Sequence, residues 1–210
     1  MSEYTGMEVN IPKATGMLVA LTTAVFAAEA IFPSLVDRFA LVPSLVPQEP
    51  WLLVTHLFLH ANAMHIFGNM FALFIFGSYL ERIIGEKRFL ALYFSSGILA
   101  GLGQGFSSSV PSIGASGAVF GVIGMLAILT PRQIIYVYFA PMPMIVAAAG
   151  FMIWEYLLIN SPDNIGHAAH FTGEAVGVLC GLYWRWKYMR TEENEETDRP
   201  TEEDAEATLE

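Results

Sequence analysis

Apolar and polar positions along this chain segregate in blocks the length of whole helices. After a polar stretch over residues 1–13, Ala14 to about Phe32 is continuously apolar and long enough to cross a bilayer, which takes about 20 residues. Pro33 to Asn62 is a long connection with Asp37, Arg38, four prolines and the apolar patch Trp51–Val54. Its tryptophan and leucine content predicts a loop lying in the membrane interface, where indole rings are favoured. Met64–Leu80 forms a second apolar run, closed by Glu81 and Arg82. Phe89–Phe106 forms a third, with Gly97, Gly101, Gly103 and Gly105 offering close approach. Ser107–Ile113 is a polar turn, and Ala115 to about Leu129 a fourth run. Ile134–Phe139 is too short to cross and is expected to lie along the interface. Pro143–Ile159 is a fifth run, with proline at a tolerated helix start, and Ala168–Trp186 a sixth. The pattern predicts an all-α polytopic membrane protein with six spans.

Composition agrees: 54% of the 210 residues are hydrophobic and 14% charged, against roughly a quarter charged in soluble domains. Mean hydropathy is +0.50. The net charge of −10 is concentrated at one end. From Glu192 onward there are ten acidic residues and one basic, Arg199; residues 1–191 carry ten acidic and nine basic. Residues 191–210 are therefore expected to be a solvated, disordered tail, following a six-span domain at 14–190 and a short segment at 1–13. Ala28-Glu29-Ala30 resembles a signal-peptidase site, but Glu3 and Glu8 precede it in a long leading region, so a retained first span is expected. Cys180 is the lone cysteine, which excludes an intrachain disulfide.

Six spans put both termini on one side. Lys13, Arg82, Lys87, Arg88, Arg132, Arg185, Lys187 and Arg190 fall on that side, and only Arg38 on the other. Positive charge is retained in the cytoplasm, so both termini are expected there.

On this topology several polar residues share one depth in the outer leaflet. His65 and Asn69 lie one turn apart on one face of span two. Ser116 opens span four within Gly114-Ala115-Ser116-Gly117, and His170 lies near the start of span six. Intramembrane polar groups are costly and mark function. A neutral His170 could accept the serine proton as Ser116 attacks a carbonyl and later protonate the leaving amine. His65, Asn69 and the Ser116 backbone N–H could stabilise the oxyanion. No Asp or Glu stands out as a third member; Glu174 lies one turn below His170 on its face, and Glu29 and Glu155 are further intramembrane acids. Two other readings use the same residues: hydrogen bonds that merely join helices, or a metal site of His167, His170 and Glu174 with His65 at comparable depth. The second leaves Ser116 unexplained, and no metal is expected.

Three segments carry a resemblance: His65-Ile-Phe-Gly-Asn69, Gly114-Ala-Ser116-Gly-Ala-Val-Phe-Gly121 and Gly166-His167-Ala-Ala-His170-Phe-Thr-Gly173. In their order and topology the chain resembles the rhomboid family of intramembrane serine proteases over nearly all of its six-span portion. The resemblance implies a six-transmembrane-helix rhomboid-like bundle with Ser116 as nucleophile and His170 as base. It implies His65, Asn69, Gly114 and backbone N–H groups, that of Ser116 included, at the oxyanion hole. Gly173 and Gly177 would let span six pack closely on span four, where Gly117 and Gly121 lie. Trp51 and Glu81-Arg82 match family positions; Leu52 stands where an arginine is frequent, and Phe120 where a tyrosine stacks under the histidine in some members. The implied partners are transmembrane substrates and the lipid bilayer, with no nucleic acid and no cofactor. The implied location is the plasma membrane of a prokaryote, with the active site opening outward. Inactive relatives that escort clients without cutting them are the alternative; they typically lack the serine or histidine, and both are present here.

Overall fold

The computed structural model describes residues 12–137, 139–163 and 165–197, with side chains in the last helix through Lys187. Six helical segments form a membrane bundle, three of them long and apolar enough to cross a bilayer and two more apolar but shorter. They are α1 (Lys13–Ile31), the α4–α5 segment (Ala63–Ala72 and Ser78–Ile84, joined by a π-helical stretch at Leu73–Gly77), α6 (Glu86–Ser107), α7 (Ser116–Leu129), α8 (Met144–Leu157) and α9 (His167–Thr197). Two short helices, α2 (Ser34–Phe39) and α3 (Leu52–Thr55), lie in the connection after α1. The bundle's outside is apolar, as contact with lipid requires: Met17, Phe67, Phe71, Ile153, Trp154 and Leu179 are all exposed.

The core sits around α7. Ten of its fourteen residues, from Gly117 to Ala127, are buried. A helix buried on all sides must be apolar all round and lined with small residues where neighbours cross, which describes Ser116–Leu129. Fourteen residues span about 21 Å, against about 30 Å of hydrocarbon. By itself α7 does not reach from one face of the hydrocarbon layer to the other.

Two regions differ from the sequence expectation. Ile134–Phe139 is not an isolated segment. Ile134–Val137 (β1) pairs antiparallel with Ala140–Pro143 (β2), Ile134 opposite Pro143 and Val137 opposite Ala140. The β-branched run Ile134, Ile135, Val137 favours a strand, and Phe139 takes a left-handed φ of 71° at the turn. At the other end, α9 continues past Trp186 through Thr197 into the start of the acidic stretch; the disorder expected for the tail beyond residue 197 lies outside the described residues.

The connection between α1 and α4 is folded onto the bundle through its leucines. Leu41, Leu52, Leu57 and Leu59 are at most 2% exposed. Leu57 fits where Gly97 of α6 has no side chain: a Cβ there would lie 2.8 Å from it. Gly101 makes the same room for Leu41 and the ring of His56. Trp51 remains half-exposed on the surface of this loop. On the opposite end of the bundle, Glu81 of α5 accepts hydrogen bonds from the Ala14 and Thr15 backbone N–H groups and the Thr15 hydroxyl (3.0, 2.8 and 2.8 Å). A carboxylate thus satisfies the first-turn donors of α1, which has no capping side chain of its own.

Candidate active site

Ser116 is positioned by the loop that precedes it. Leu41 and Ser112 exchange backbone hydrogen bonds at 3.0 Å in both directions, and the Gly114 N–H donates to the His56 carbonyl at 2.9 Å. The segment before α7 is thereby tied to the α1–α4 connection. Gly114 has φ +122°, a conformation that favours glycine, and a Cβ there would lie 2.8 Å from Cε1 and Nε2 of His65 and 3.8 Å from the Asn69 amide nitrogen. Gly114 thus enters the site as space beside these two side chains. Its N–H is engaged with the His56 carbonyl.

His170 reaches Ser116 because α7 and α9 touch backbone to backbone. A Cβ at Gly173 would lie 2.0 Å from the Gly117 carbonyl oxygen, and one at Gly177 1.9 Å from that of Gly121. Gly121 in turn has Ser96 Oγ 2.3 Å from where its Cβ would be. No side chain fits between these helices. The result is a hydrogen bond of 2.8 Å between Ser116 Oγ and His170 Nε2. Phe120, one turn into α7, stacks on the His170 ring at 4.5 Å and 15° and packs edge-on against Phe151 of α8 at 6.0 Å. The start of α9 is fixed from α6, where Gln104 accepts the Ala169 N–H at 3.2 Å.

The opposite side of Ser116 is lined by α4. Asn62 caps this helix by accepting the His65 N–H at 2.9 Å. The Ala61 N–H points at His65 Nδ1 (3.4 Å), so the neutral ring carries its proton on Nε2, the nitrogen beside Gly114. Asn69 gives one amide hydrogen to the His65 carbonyl at 3.1 Å and keeps another. Two donors therefore lie beside Gly114, two residues before Ser116 and the backbone N–H groups of the first turn of α7.

Four further residues stand around the pair of Ser116 and His170, three of which, Glu155, Asp163 and His60, the sequence did not bring to it. Glu155 of α8 lies between two histidines, with Oε2 2.5 Å from His167 Nδ1 and Oε1 3.1 Å from His170 Nδ1. His167 Nε2 meets Asp163 at 3.0 Å. This N–H holds the Asp163 carboxyl below its ordinary range. His60, buried in the loop before α4, packs edge-on against His65 at 4.9 Å, and its backbone N–H donates to Glu29 of α1 at 3.3 Å. Glu174, by contrast, does not meet His170. It is fully buried one turn lower, and neither carboxyl oxygen has a hydrogen-bond partner among the described residues. The grouping of metal-capable side chains accordingly differs from the sequence-based one: Glu155, His167 and His170 place ligand atoms within 4.8 Å of one another, and Glu174 is not among them.

A serine paired with a histidine at the head of a buried helix, with two donors beside the preceding loop, is equipped for acyl transfer. The Rhomboid domain model matches residues 47–187, two thirds of the chain. The chain belongs to the rhomboid family. This rhomboid is 34% identical over 143 residues to rhomboid protease GluP of Bacillus subtilis, covering 65% of the chain and 27% of that protein. Rhomboid protease GlpG of Haemophilus influenzae is 27% identical over 180 residues, covering 81% of the chain and 90% of GlpG. Rhomboid protein 1, mitochondrial, of Saccharomyces cerevisiae is 33% identical over 136 residues, covering 60% and 39%. The rhomboid relatives named as proteases place this helical membrane protein in a family of intramembrane proteases.

Proposed function

We propose that this rhomboid is an active serine endopeptidase that hydrolyses peptide bonds in or near transmembrane segments of other membrane proteins. The observation that carries this reading is the 2.8 Å hydrogen bond between Ser116 Oγ and His170 Nε2. Ser116 Oγ attacks the scissile carbonyl carbon as its proton passes to His170 Nε2. The negative charge on the carbonyl oxygen is met by His65 Nε2–H, the free amide hydrogen of Asn69 and the Ser116 N–H. His170 then gives its proton to the leaving amine nitrogen, which leaves an acyl-Ser116. Water deprotonated by His170 attacks that ester, and the proton returns to Ser116 Oγ. Phe120 supports the imidazole ring from below, and Gly117, Gly121, Gly173 and Gly177 set the distance between nucleophile and base. The mechanism draws on no cofactor.

The basic residues flanking the spans support cytoplasmic termini and a site open to the outer side of a prokaryotic plasma membrane. Water then reaches Ser116 beneath the α1–α4 connection. The partners are transmembrane substrates and the lipid around them, and no nucleic acid.

Purified protein reconstituted with a labelled single-span substrate tests the reading. Cleavage is expected for the wild type, with Ser116→Ala and His170→Ala both falling to background, at least about 10³-fold lower. Undiminished cleavage by either variant overturns the mechanism. Retained client binding without cleavage by the wild type would assign the chain to the escort class instead.

A further inference from the structure

A base that takes a proton on one nitrogen must hold its other proton on the second, and something must orient the ring. In this site the second nitrogen, Nδ1 of His170, has no aligned hydrogen-bond partner, yet Glu155 Oε1 lies 3.1 Å away. The same carboxylate is anchored by its other oxygen, 2.5 Å from His167 Nδ1. His167 is anchored in turn, its Nε2 lying 3.0 and 3.2 Å from the two oxygens of Asp163. Four residues from α8, α9 and the loop between them thus run in series to the nucleophile: Asp163, His167, Glu155, His170, then Ser116. Glu155 is 7% exposed and His167 3%, so water does not compete for the contact between these two. Burying the Glu155 carboxylate among two imidazoles is costly unless it is paired, and the series pairs it, ending on the exposed carboxylate of Asp163.

We propose that Glu155 is a positioning residue for the proposed proteolysis. It selects the His170 tautomer that carries its proton on Nδ1, which leaves Nε2 free to accept from Ser116. It also stabilises the imidazolium that forms when Ser116 gives up its proton. Glu155 takes no proton itself; its charge faces the Nδ1–H throughout. The off-axis contact in the resting site is what a catalytic hydrogen bond looks like before substrate tightens it. His167 and Asp163 hold the carboxylate in place. The proposal rests on the reading of Ser116 and His170 given above and adds a third group to it, supplied by a different helix.

The test uses a fluorophosphonate, which labels an activated serine without needing a transmembrane substrate, alongside cleavage kinetics on a single-span substrate. Glu155→Gln keeps the size of the side chain and removes its charge. Its labelling rate and kcat are expected to fall about 10- to 100-fold, with KM within about twofold and an unchanged melting temperature. This is less than the roughly 10⁴-fold loss seen when an aligned triad carboxylate is made an amide, because the contact here is off axis. Glu155→Asp keeps the charge and is expected to label within about threefold of wild type. Labelling of Glu155→Gln at the wild-type rate overturns the proposal while leaving the dyad intact. Should Glu155→Gln fail to fold, folded Glu155→Asp decides: a loss beyond about tenfold shows that shape, not charge, matters, and overturns it. A wild type that neither labels nor cleaves sinks the serine-protease reading itself, a result distinct from the first.

Discussion

Two helices bring groups to Ser116, and they are attached to the molecule in opposite ways. α9 meets α7 through bare backbone, with Gly173 and Gly177 against the carbonyls of Gly117 and Gly121. α8 meets the same site through side chains, Phe151 on Phe120 and Glu155 between His167 and His170. A glycine seam has no rotamers to change, so the distance from His170 to Ser116 is set by backbone packing. Side-chain contacts can be made and broken by rotation about a few bonds. The proposed nucleophile and its proposed base are therefore carried by the stiff pair, and the carboxylate by the adjustable helix. α8 also has a lipid-exposed flank, with Val146, Ile153, Trp154 and Leu157 all more than half exposed.

The comparison breaks most decisively at the seam. In Gly173→Ala the new methyl would meet the Gly117 carbonyl oxygen at 2.0 Å, so the helices must part. Overpacking of this kind costs about 1–3 kcal/mol. An ångström's separation of base from nucleophile costs about 100-fold in rate. Thermal unfolding and cleavage assays on the same preparation should show both losses; wild-type activity in Gly173→Ala would mean that the seam does not set the catalytic distance. The matching change on α8, Phe151→Ala, removes a half-buried ring that touches Phe120 but no catalytic atom. Activity should fall less than about tenfold, with a stability loss of about 1–3 kcal/mol, at the low end for an aromatic truncation. A Phe151→Ala enzyme as crippled as Gly173→Ala would erase the distinction between the two helices.

The smallest effect concerns the loop that holds Gly114. Burial pushes the ring pKa values of His56 and His60 down to about 4. Both rings stay neutral in the folded loop but take up protons when it is released. Their contribution to stability is thus complete above about pH 6.5 and is lost as the pH falls toward about 4. At pH 6 the loss should be under about 1 kcal/mol per ring. Hydrogen exchange of the Leu41 and Gly114 amides at pH 7 and at pH 5 measures it. Faster opening at pH 5, beyond the intrinsic pH dependence of exchange, is the expected result, and equal protection would show that these rings do not gate the loop.

The sequence made the bundle readable because a bilayer demands long apolar helices, and because glycines spaced by four mark helix faces that touch. Ser116, His65 and Asn69 drew attention for a related reason: polar residues are rare inside apolar spans. Glu155 was not legible as a partner of His170. It lies fifteen residues upstream on another helix, and only the packing of α8 against α9 brings it there. Glu174 looked better placed because helical spacing is visible in sequence, but four residues along a helix is also one turn deeper, beyond reach of the ring. Gln104 escaped notice for the reason Glu155 did, its partner being a backbone N–H 65 residues away. The β1–β2 hairpin was hidden because four-residue strands leave too short a pattern to distinguish from an apolar turn.

The brevity of α8 has a consequence for the surrounding lipid. Met144–Leu157 is fourteen residues long, about 21 Å, and its flank is open to a hydrocarbon layer about 30 Å thick. Unlike α7, it has no protein sheath to hide the mismatch. Acyl chains against it must tilt or compress, which draws the headgroup plane inward at a modest cost per ångström. A guest helix drifting into that dimple would find its own end lifted into hydrated surroundings before it touched any catalytic atom.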